Sequence, residues 1–174
     1  MTEFEQRVPV SPVSPVSPVG PAGLDAGEGE AIWSLGGLLT LKASAATTAG
    51  QFEVIEGLIA PNVSPPWHVH HRQDESFYLL AGRVTYYIGD QIVRAEPGAF
   101  VFLPRGIPHT FRIEGPDPAR TLEVTAPSGL WSFFTEMGEP ARERTLPPAQ
   151  RPDIAKLRGV AAHYGIDILG PLNG

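Results

Sequence analysis

Three of the five histidines of this 174-residue chain lie within four consecutive positions, at His68, His70 and His71. Two carboxylates, Asp74 and Glu75, follow a few residues later. Neutral imidazoles and carboxylates are common ligands of divalent transition metals in proteins. The segment therefore predicts a metal site.

The spacing of these residues predicts which of them act as ligands. In an extended strand side chains alternate, so His68 and His70 leave from one face and His71 from the other. We expect the first two to be ligands and His71 to be a bystander. The same alternation favours Asp74 as the next ligand, whereas a turn or bulge after His70 would reset it and favour Glu75. The residues alone leave both carboxylates open.

Short strands bounded by turn-forming residues are predicted around this segment. They cover 31–35, 38–44, 51–60, 76–82, 83–89, 91–95, 99–103, 109–114 and 120–126. Gly82-Arg83 and Gly89-Asp90 are typical of hairpin turns. Many short strands at this regular spacing indicate an all-β sandwich or barrel.

The two flanks differ in character from residues 31–127. Residues 1–30 include the repeat VPVSPVSPVSPV at 8–19, and we expect this Pro/Val/Ser-rich tail to be disordered. Residues 128–174 are predicted to form a helical extension that packs on the barrel. Its helices are expected at 129–138 and 153–165, the second with Asp153 as N-cap.

Composition excludes several classes of protein. A net charge of -6 argues against a nucleic-acid partner. No apolar run approaches the roughly 18 residues of a membrane span, and the start lacks the layout of a secretory signal, so a cytoplasmic location is expected. The absence of cysteine excludes disulfides and thiolate ligands. The richness in Arg, Ala and Pro is typical of a bacterial source.

Two motifs in the chain resemble those of the cupin superfamily. The segment HVHHRQDESFYLLAG matches the first cupin motif through His68, His70, Glu75 and Gly82. The segment GAFVFLPRGIPH matches the second through Gly98, Pro104, Gly106 and His109. The chain is thus similar to single-domain bacterial cupins. This resemblance implies a double-stranded β-helix, or jelly-roll barrel, over residues 31–127.

The cupin resemblance also implies a ligand set and a cofactor. The implied metal ligands are His68, His70, Glu75 and His109, so the resemblance selects Glu75 over Asp74. The cofactor is one divalent transition metal, drawn from Fe, Ni, Mn, Co, Cu and Zn. Four protein ligands on an octahedral ion leave two adjacent positions open. A homodimer is expected by the same resemblance.

The segment TAPSGLWSFFTEMGEP at 125–140 resembles the tail of single-domain bacterial quercetinases, the quercetin 2,3-/2,4-dioxygenases. This resemblance implies oxidative cleavage, with O2, of a flavonol or another enolisable aromatic hydroxyketone. It also implies that Glu75 is both ligand and acid/base. The predicted apolar substrate pocket contains Phe52, Phe77, Leu79 and Phe111, with Tyr86, Phe100 and Phe102 as further candidates.

Two other functions fit the same residues. One is a non-oxidative metal-dependent isomerase, cyclase or decarboxylase that acts on a biosynthetic intermediate. The other is a cupin that binds a ligand without catalysis. Because each would carry the same motifs, the sequence does not decide between them and the dioxygenase.

Overall fold

The computed structural model describes residues 22–171, so most of the predicted tail at 1–30 lies outside the described residues. In chain order the elements are β1 (Glu30–Ser34), β2 (Gly37–Ala43), α1 (Ala45–Thr48), β3 (Glu53–Ile59), β4 (Trp67–His70), β5 (Asp74–Ala81), β6 (Val84–Ile88) and β7 (Gln91–Ala95). They continue with β8 (Phe100–Leu103), β9 (His109–Ile113), β10 (Ala119–Ala126), α2 (Leu130–Met137), β11 (Glu139–Pro140), α3 (Ile154–His163) and β12 (Ile166–Gly170).

The strands form two antiparallel sheets. The larger sheet has seven strands in the order β11-β1-β2-β3-β10-β5-β8, and the smaller has five in the order β12-β4-β9-β6-β7. Few residues are helical, so the predicted all-β class is confirmed. No helix within residues 22–171 is long and apolar enough to cross a membrane.

The main apolar core lies between these two sheets. Because side chains alternate along a strand, β5 buries Phe77 and Leu79 and β8 buries Val101 and Leu103, while their neighbours point outward. The smaller sheet contributes Tyr86, which is 1% exposed, to the same core. The interior of the barrel is therefore packed around the inner faces of β5, β6 and β8.

The hairpin between β5 and β6 requires a glycine at position 82. Gly82 has φ +82°, a region that other residues rarely adopt. A Cβ at this position would lie 2.8 Å from the Cα of Ala119. Gly82 thus allows the turn to pass close to the start of β10.

The predicted C-terminal helices correspond to α2 and α3. The Asp153 carboxylate accepts a hydrogen bond from the Lys156 backbone N–H, as expected of an N-cap. Leu130 and Phe133 of α2 pack with Leu157 of α3 and with Ile166 of β12. The pattern did not predict β12, which pairs antiparallel with β4, the strand that carries His68 and His70.

Glu53 of β3 connects the barrel to α2. Its side chain is buried and accepts a hydrogen bond from the Trp131 backbone N–H at 3.0 Å. Trp131 lies in the first turn of α2, where backbone N–H groups lack intrahelical partners and a negative charge is favourable. Gly129, the N-cap residue, offers no side chain for this role. The carboxylate of Glu53 therefore caps the helix.

Replacing Glu53 with Leu is expected to lower the free energy of unfolding by about 2–3 kcal/mol, because the substitution leaves a buried N–H without its charged acceptor. Urea denaturation measures this change. Glu56→Leu is the control, since Glu56 lies on the opposite face of β3 in partly exposed ion pairs with Lys42 and Arg120. Such pairs contribute about 0–1 kcal/mol. Equal losses in the two variants would contradict the capping role of Glu53.

Candidate metal site

Two neighbouring strands of the smaller sheet bring three histidines together. His68 and His70 share one face of β4, and His68 lies opposite His109 in the pairing of β4 with β9. The ring centroid of His68 lies 4.4 Å from that of His109 and 5.1 Å from that of His70. The alternation of a short strand is thus sufficient to direct two of the rings at a third.

The larger sheet supplies a carboxylate to the same point. Glu75 of β5 places Oε2 2.9 Å from His109 Nε2 and 3.6 Å from His70 Nε2. Ligand atoms of His68, His70, Glu75 and His109 all lie within 4.8 Å of one another, so this four-residue cluster could hold a metal ion. Three of the four are buried and His68 is partly buried.

The backbone between His70 and Glu75 determines which of the two carboxylates, Asp74 or Glu75, joins the histidines. Strand β4 ends at His70, the chain bends at His71 and Arg72, and β5 begins at Asp74. The bend resets the alternation, so Glu75 faces the barrel interior with Phe77 and Leu79. Of the two carboxylates that alternation left open, the structure brings Glu75 into the cluster.

Asp74 has a different partner. Its carboxylate accepts hydrogen bonds from Arg105 Nε at 3.0 Å, Arg105 Nη2 at 2.7 Å and the Arg105 backbone N–H at 2.8 Å. The hydrogen bonds from the Arg105 side chain and backbone lower the pKa of Asp74. Asp74 thus fixes the corner after β8, and this corner in turn donates the Gly106 N–H to the His70 carbonyl.

His71 points away from the cluster, as expected of a bystander. Its side chain is about half exposed, and Nε2 lies 2.8 Å from the Asp167 carboxylate on β12. The backbone N–H of His71 donates to the Gly165 carbonyl. The residue therefore links the end of β4 to the C-terminal strand.

Backbone carbonyls orient two of the clustered imidazoles. His68 Nδ1 lies 2.8 Å from the Pro66 carbonyl oxygen, and His109 Nδ1 lies 2.9 Å from that of Ile107. Because a carbonyl only accepts, each Nδ1 carries a hydrogen and each Nε2 is left to face the cluster. Such partners fix the tautomer and ring orientation of metal-binding histidines.

The charges of the cluster are strongly coupled. Burial alone would raise the pKa of Glu75, but His70, His109 and His68 outweigh it and hold the pKa well below the usual range. Burial would lower the pKa of His109, but the hydrogen bond and charge of Glu75 raise it. Glu75 therefore favours the protonated form of His109. A metal ion bound here would compete with that proton.

His68 is the histidine least able to hold a proton. Burial, followed by the neighbouring His109 and His70, lowers its pKa to about 4. Between pH 6.5 and pH 4 the unfolded chain therefore binds a proton at this position and the folded chain does not. The contribution of His68 to stability is thus full above pH 6.5 and falls as the pH drops toward 4.

Between pH 7 and pH 4, the free energy of unfolding of the metal-free wild-type protein is accordingly expected to fall by up to about 3 kcal/mol more than that of a His68→Leu variant. Urea denaturation of both proteins at the two pH values gives this difference, and the titratable groups outside the cluster, which both proteins share, cancel. A difference in unfolding free energy that stays constant with pH would contradict the lowered pKa.

An apolar wall adjoins the cluster. The rings of Phe77, Tyr86 and Phe111 lie 5.4–6.3 Å apart between centroids, and Leu79 packs in the same core. Phe52 lies apart and is 38% exposed, because the next residue, Glu53, occupies the inner position at the start of β3. A role in the substrate pocket stays a prediction for Phe52, Phe77, Leu79 and Phe111.

Phe100 and Phe102 were also candidates for the barrel lining, and the structure corrects this. They are 65% and 51% exposed on the outer face of β8, while Val101 and Leu103 take the inner positions. The run of four apolar residues gave no alternation from which the inner face could be chosen.

Sequence reasoning missed a buried acid beside the cluster. Glu123 of β10 is 7% exposed and shares the inner side of the larger sheet with Glu75. Burial, followed by the charge of Glu75, raises the pKa of Glu123 well above its usual range. Thr121 and Thr125 share this inner face, so the polar residues of β10 point inward. The alternation of polar residues in RTLEVTA is the sequence pattern from which this face could have been predicted.

Comparison with known proteins agrees with the fold and the motifs. Residues 56–125 match the family model of the Cupin domain. The quercetin 2,3-dioxygenase of Bacillus subtilis (strain 168) is 28% identical over 126 residues, which cover 71% of this chain. An RmlC-like cupin from Shewanella frigidimarina NCIMB 400 has a TM-score of 0.52 and 14% identity, covering 62% of this chain and 93% of that one.

The Bacillus relative is much longer than the matching region. The alignment covers 36% of that protein. The structural similarity to the Shewanella protein is a similarity of fold, and it confirms the predicted jelly-roll barrel. The family match and the two sequence motifs thus agree on the architecture around the four-residue cluster.

Proposed function

We propose that this chain, which contains a cupin domain resembling quercetinase, is a metal-dependent dioxygenase. Its substrate would be a flavonol or another enolisable aromatic hydroxyketone. The observation that carries the proposal is the buried four-residue cluster of His68, His70, Glu75 and His109. The 28% identity to a quercetin 2,3-dioxygenase supports the choice among cupin activities.

The donor set of the cluster fits a divalent transition metal. Three imidazoles and one carboxylate suit Fe, Ni, Mn, Co, Cu and Zn. Within residues 22–171, the buried His70 Nδ1 has no hydrogen-bond partner. A bound ion would supply Lewis acidity toward a substrate oxygen and a site for O2 chemistry.

Glu75 is the residue to which we assign proton transfer. Its lowered pKa keeps the carboxylate charged near neutral pH. Oε2 would accept the proton of a substrate hydroxyl whose acidity a bound ion would raise. The imidazole of His109, 2.9 Å away, holds the carboxylate in place. Deprotonation converts a hydroxyketone into its enolate, the electron-rich form that reacts with O2. The same carboxyl group then returns the proton to the product.

The apolar wall fits the substrate class and limits access of water. Phe77, Tyr86 and Phe111 present ring faces and edges at centroid distances typical of aromatic packing. A flat aromatic substrate would meet similar surfaces. Phe77 is 8% exposed and Tyr86 1%, so the interior beside the cluster is largely shielded. In such surroundings the charge of Glu75 acts with little screening.

Oxygen consumption with quercetin tests the proposal directly. Protein loaded separately with each of the six metals is mixed with quercetin in an oxygen electrode, and at least one metal form is expected to consume O2 in proportion to substrate cleaved. An anaerobic arm distinguishes the alternatives, since turnover without O2 would indicate an isomerase, cyclase or decarboxylase. No turnover in any metal form, with or without O2, would contradict the dioxygenase.

A further inference from the structure

An uncharged groove lies at the edge of the smaller sheet where β4 pairs with β12. Its volume is about 410 Å³, and it is lined by Trp67, Pro108, Leu169, Gly170 and Pro171. Leu169 is 55% exposed, and Trp67 is partly buried. His68 and His70 of β4 point to the metal cluster, so Trp67 leaves the strand from the opposite face. We call these five lining residues the Trp67 groove.

The Trp67 groove has the chemistry of a site for proline-rich segments. The indole of Trp67 packs against the ring of Tyr87 on β6, with 6.4 Å between centroids and 60° between planes. Grooves lined by aromatic side chains bind such segments in the polyproline II conformation. An indole N–H donates, and the carbonyls of a polyproline II segment are free to accept because this conformation has no internal hydrogen bonds.

The chain itself contains a segment of this kind, the sequence VPVSPVSPVSPV at 8–19, which we call the VSP repeat. It lies outside the described residues. Its prolines recur at positions 9, 12, 15 and 18. Polyproline II has three residues per turn, so in this conformation the four prolines would lie along one face. Like the Trp67 groove, the VSP repeat has no charged residue.

We propose that the VSP repeat binds in the Trp67 groove of its own chain as a polyproline II segment. The proline face packs on the indole of Trp67 and on Leu169. The repeat has no pattern from which it could form a core of its own, so the groove supplies the surface against which it is buried. Trp67 and Pro108 directly precede two of the clustered histidines, so the bound segment braces β4 and β9 beside the metal cluster.

The segment is long enough to reach the groove. Strand β1 packs on α2 through Ile32 and Trp131, and α2 packs with α3 and β12. The α2–α3 pair therefore separates β1 from β12, over about 20–24 Å for two helix diameters. The described chain begins at Ala22, shortly before β1. At about 3.1 Å per residue, the stretch from Pro12 to Ala22 spans about 31 Å.

The covalent link favours this segment over a proline-rich partner. A ligand joined by a short linker binds as if it were present at about millimolar concentration. A free peptide of similar chemistry has to compete with that concentration. Weak contacts of the kind a small groove provides are therefore sufficient for a segment of the same chain.

A nitroxide on the VSP repeat tests the contact in the full chain. The chain has no cysteine, so Ser14→Cys gives a single attachment site away from the proline face. The indole N–H of Trp67 and the amide of Leu169 are expected to lose most of their NMR intensity with the nitroxide oxidised, compared with the reduced form. Tyr78 and Phe100, which are exposed apolar residues of the larger sheet, are expected to keep theirs. Equal loss at both places, or loss at the larger sheet alone, would overturn the proposal.

A mixed sample tests whether the segment binds within its own chain. Isotope-labelled protein without nitroxide is mixed with unlabelled protein that carries it at Ser14→Cys. No loss of intensity is expected at Trp67 or Leu169 of the labelled chains. A loss as large as in the singly labelled chain would overturn the proposal, because it would show that the segment binds a second copy.

Substitution in the groove provides a matched pair of variants. Leu169→Asp is expected to restore the intensity of the Trp67 indole signal in the nitroxide-bearing chain, because a charge is placed in an apolar contact. Ile92→Asp is the control, since Ile92 is also 55% exposed but lies on β7, at the other edge of the same sheet. It is expected to leave the loss unchanged. Both side chains are exposed, so neither change removes core packing. A loss that persists in Leu169→Asp would overturn the proposal.

Discussion

Glu75→Gln is expected to lower kcat for O2-dependent turnover by about 10²–10⁴-fold while the protein stays folded and keeps part of its metal affinity. The amide retains an oxygen at the position of Oε1 or Oε2, but it does not accept a proton as a carboxylate does. The oxygen electrode gives kcat, and elemental analysis of the same sample gives the metal content. Measuring both separates loss of proton transfer from loss of metal.

Asp74→Asn is the matched control for this prediction. Asp74 is the adjacent carboxylate, but its oxygens are occupied by Arg105 outside the cluster. Its substitution is expected to leave kcat within about threefold, with a modest loss of stability because the pair is partly exposed. Unchanged turnover in Glu75→Gln would remove the assignment of Glu75 as acid/base. Equal losses in both variants would indicate a general effect of carboxylates near the site.

His109→Ala is expected to weaken metal binding by more than the 10–100-fold that loss of an outer hydrogen-bonding partner costs. His109 is 1% exposed and contributes an Nε2 that faces the cluster. Its removal leaves two imidazoles and one carboxylate, and it also leaves the charge of Glu75 without its nearest partner. Calorimetric titration with Zn²⁺ or Ni²⁺ measures the change, and no substrate is needed.

His71→Ala is the control for the histidines. His71 is adjacent to His70 in sequence, but its ring contacts Asp167 on β12 instead of the cluster. Its substitution is expected to change metal affinity less than about threefold, because the neighbouring backbone contacts remain. If His71→Ala lowered the affinity as much as His109→Ala, the assignment of ligands from the strand alternation would be wrong.

The part of the site that depends on local alternation could be predicted from the sequence. The two-residue spacing of His68 and His70 placed both on one face of a strand, and the structure agrees. The choice between Asp74 and Glu75 could not be made in this way, because it depends on the bend at His71 and Arg72. Only the motif spacing indicated Glu75. A two-residue bend leaves no pattern that residue types alone would reveal.

The side chains that fill the barrel interior were harder to predict than the strands themselves. Reading β10 by hydrophobicity alone would have placed Leu122 and Val124 inside, whereas Glu123 and its threonine neighbours occupy the interior. The rule that apolar residues face inward fails here because the interior holds a polar cluster and the outer face carries an apolar patch. Strand β12 was missed because residues 128–174 were predicted to form a helical extension, although Ile166 and Ile168 alternate with Asp167.

The metal content of the wild-type protein tests the central claim most directly. Protein incubated with each candidate metal, freed of excess and measured by elemental analysis is predicted to retain one divalent ion per 18.7 kDa chain. The four-residue cluster provides one such site within residues 22–171. A folded protein that retains none of the six metals would contradict the account.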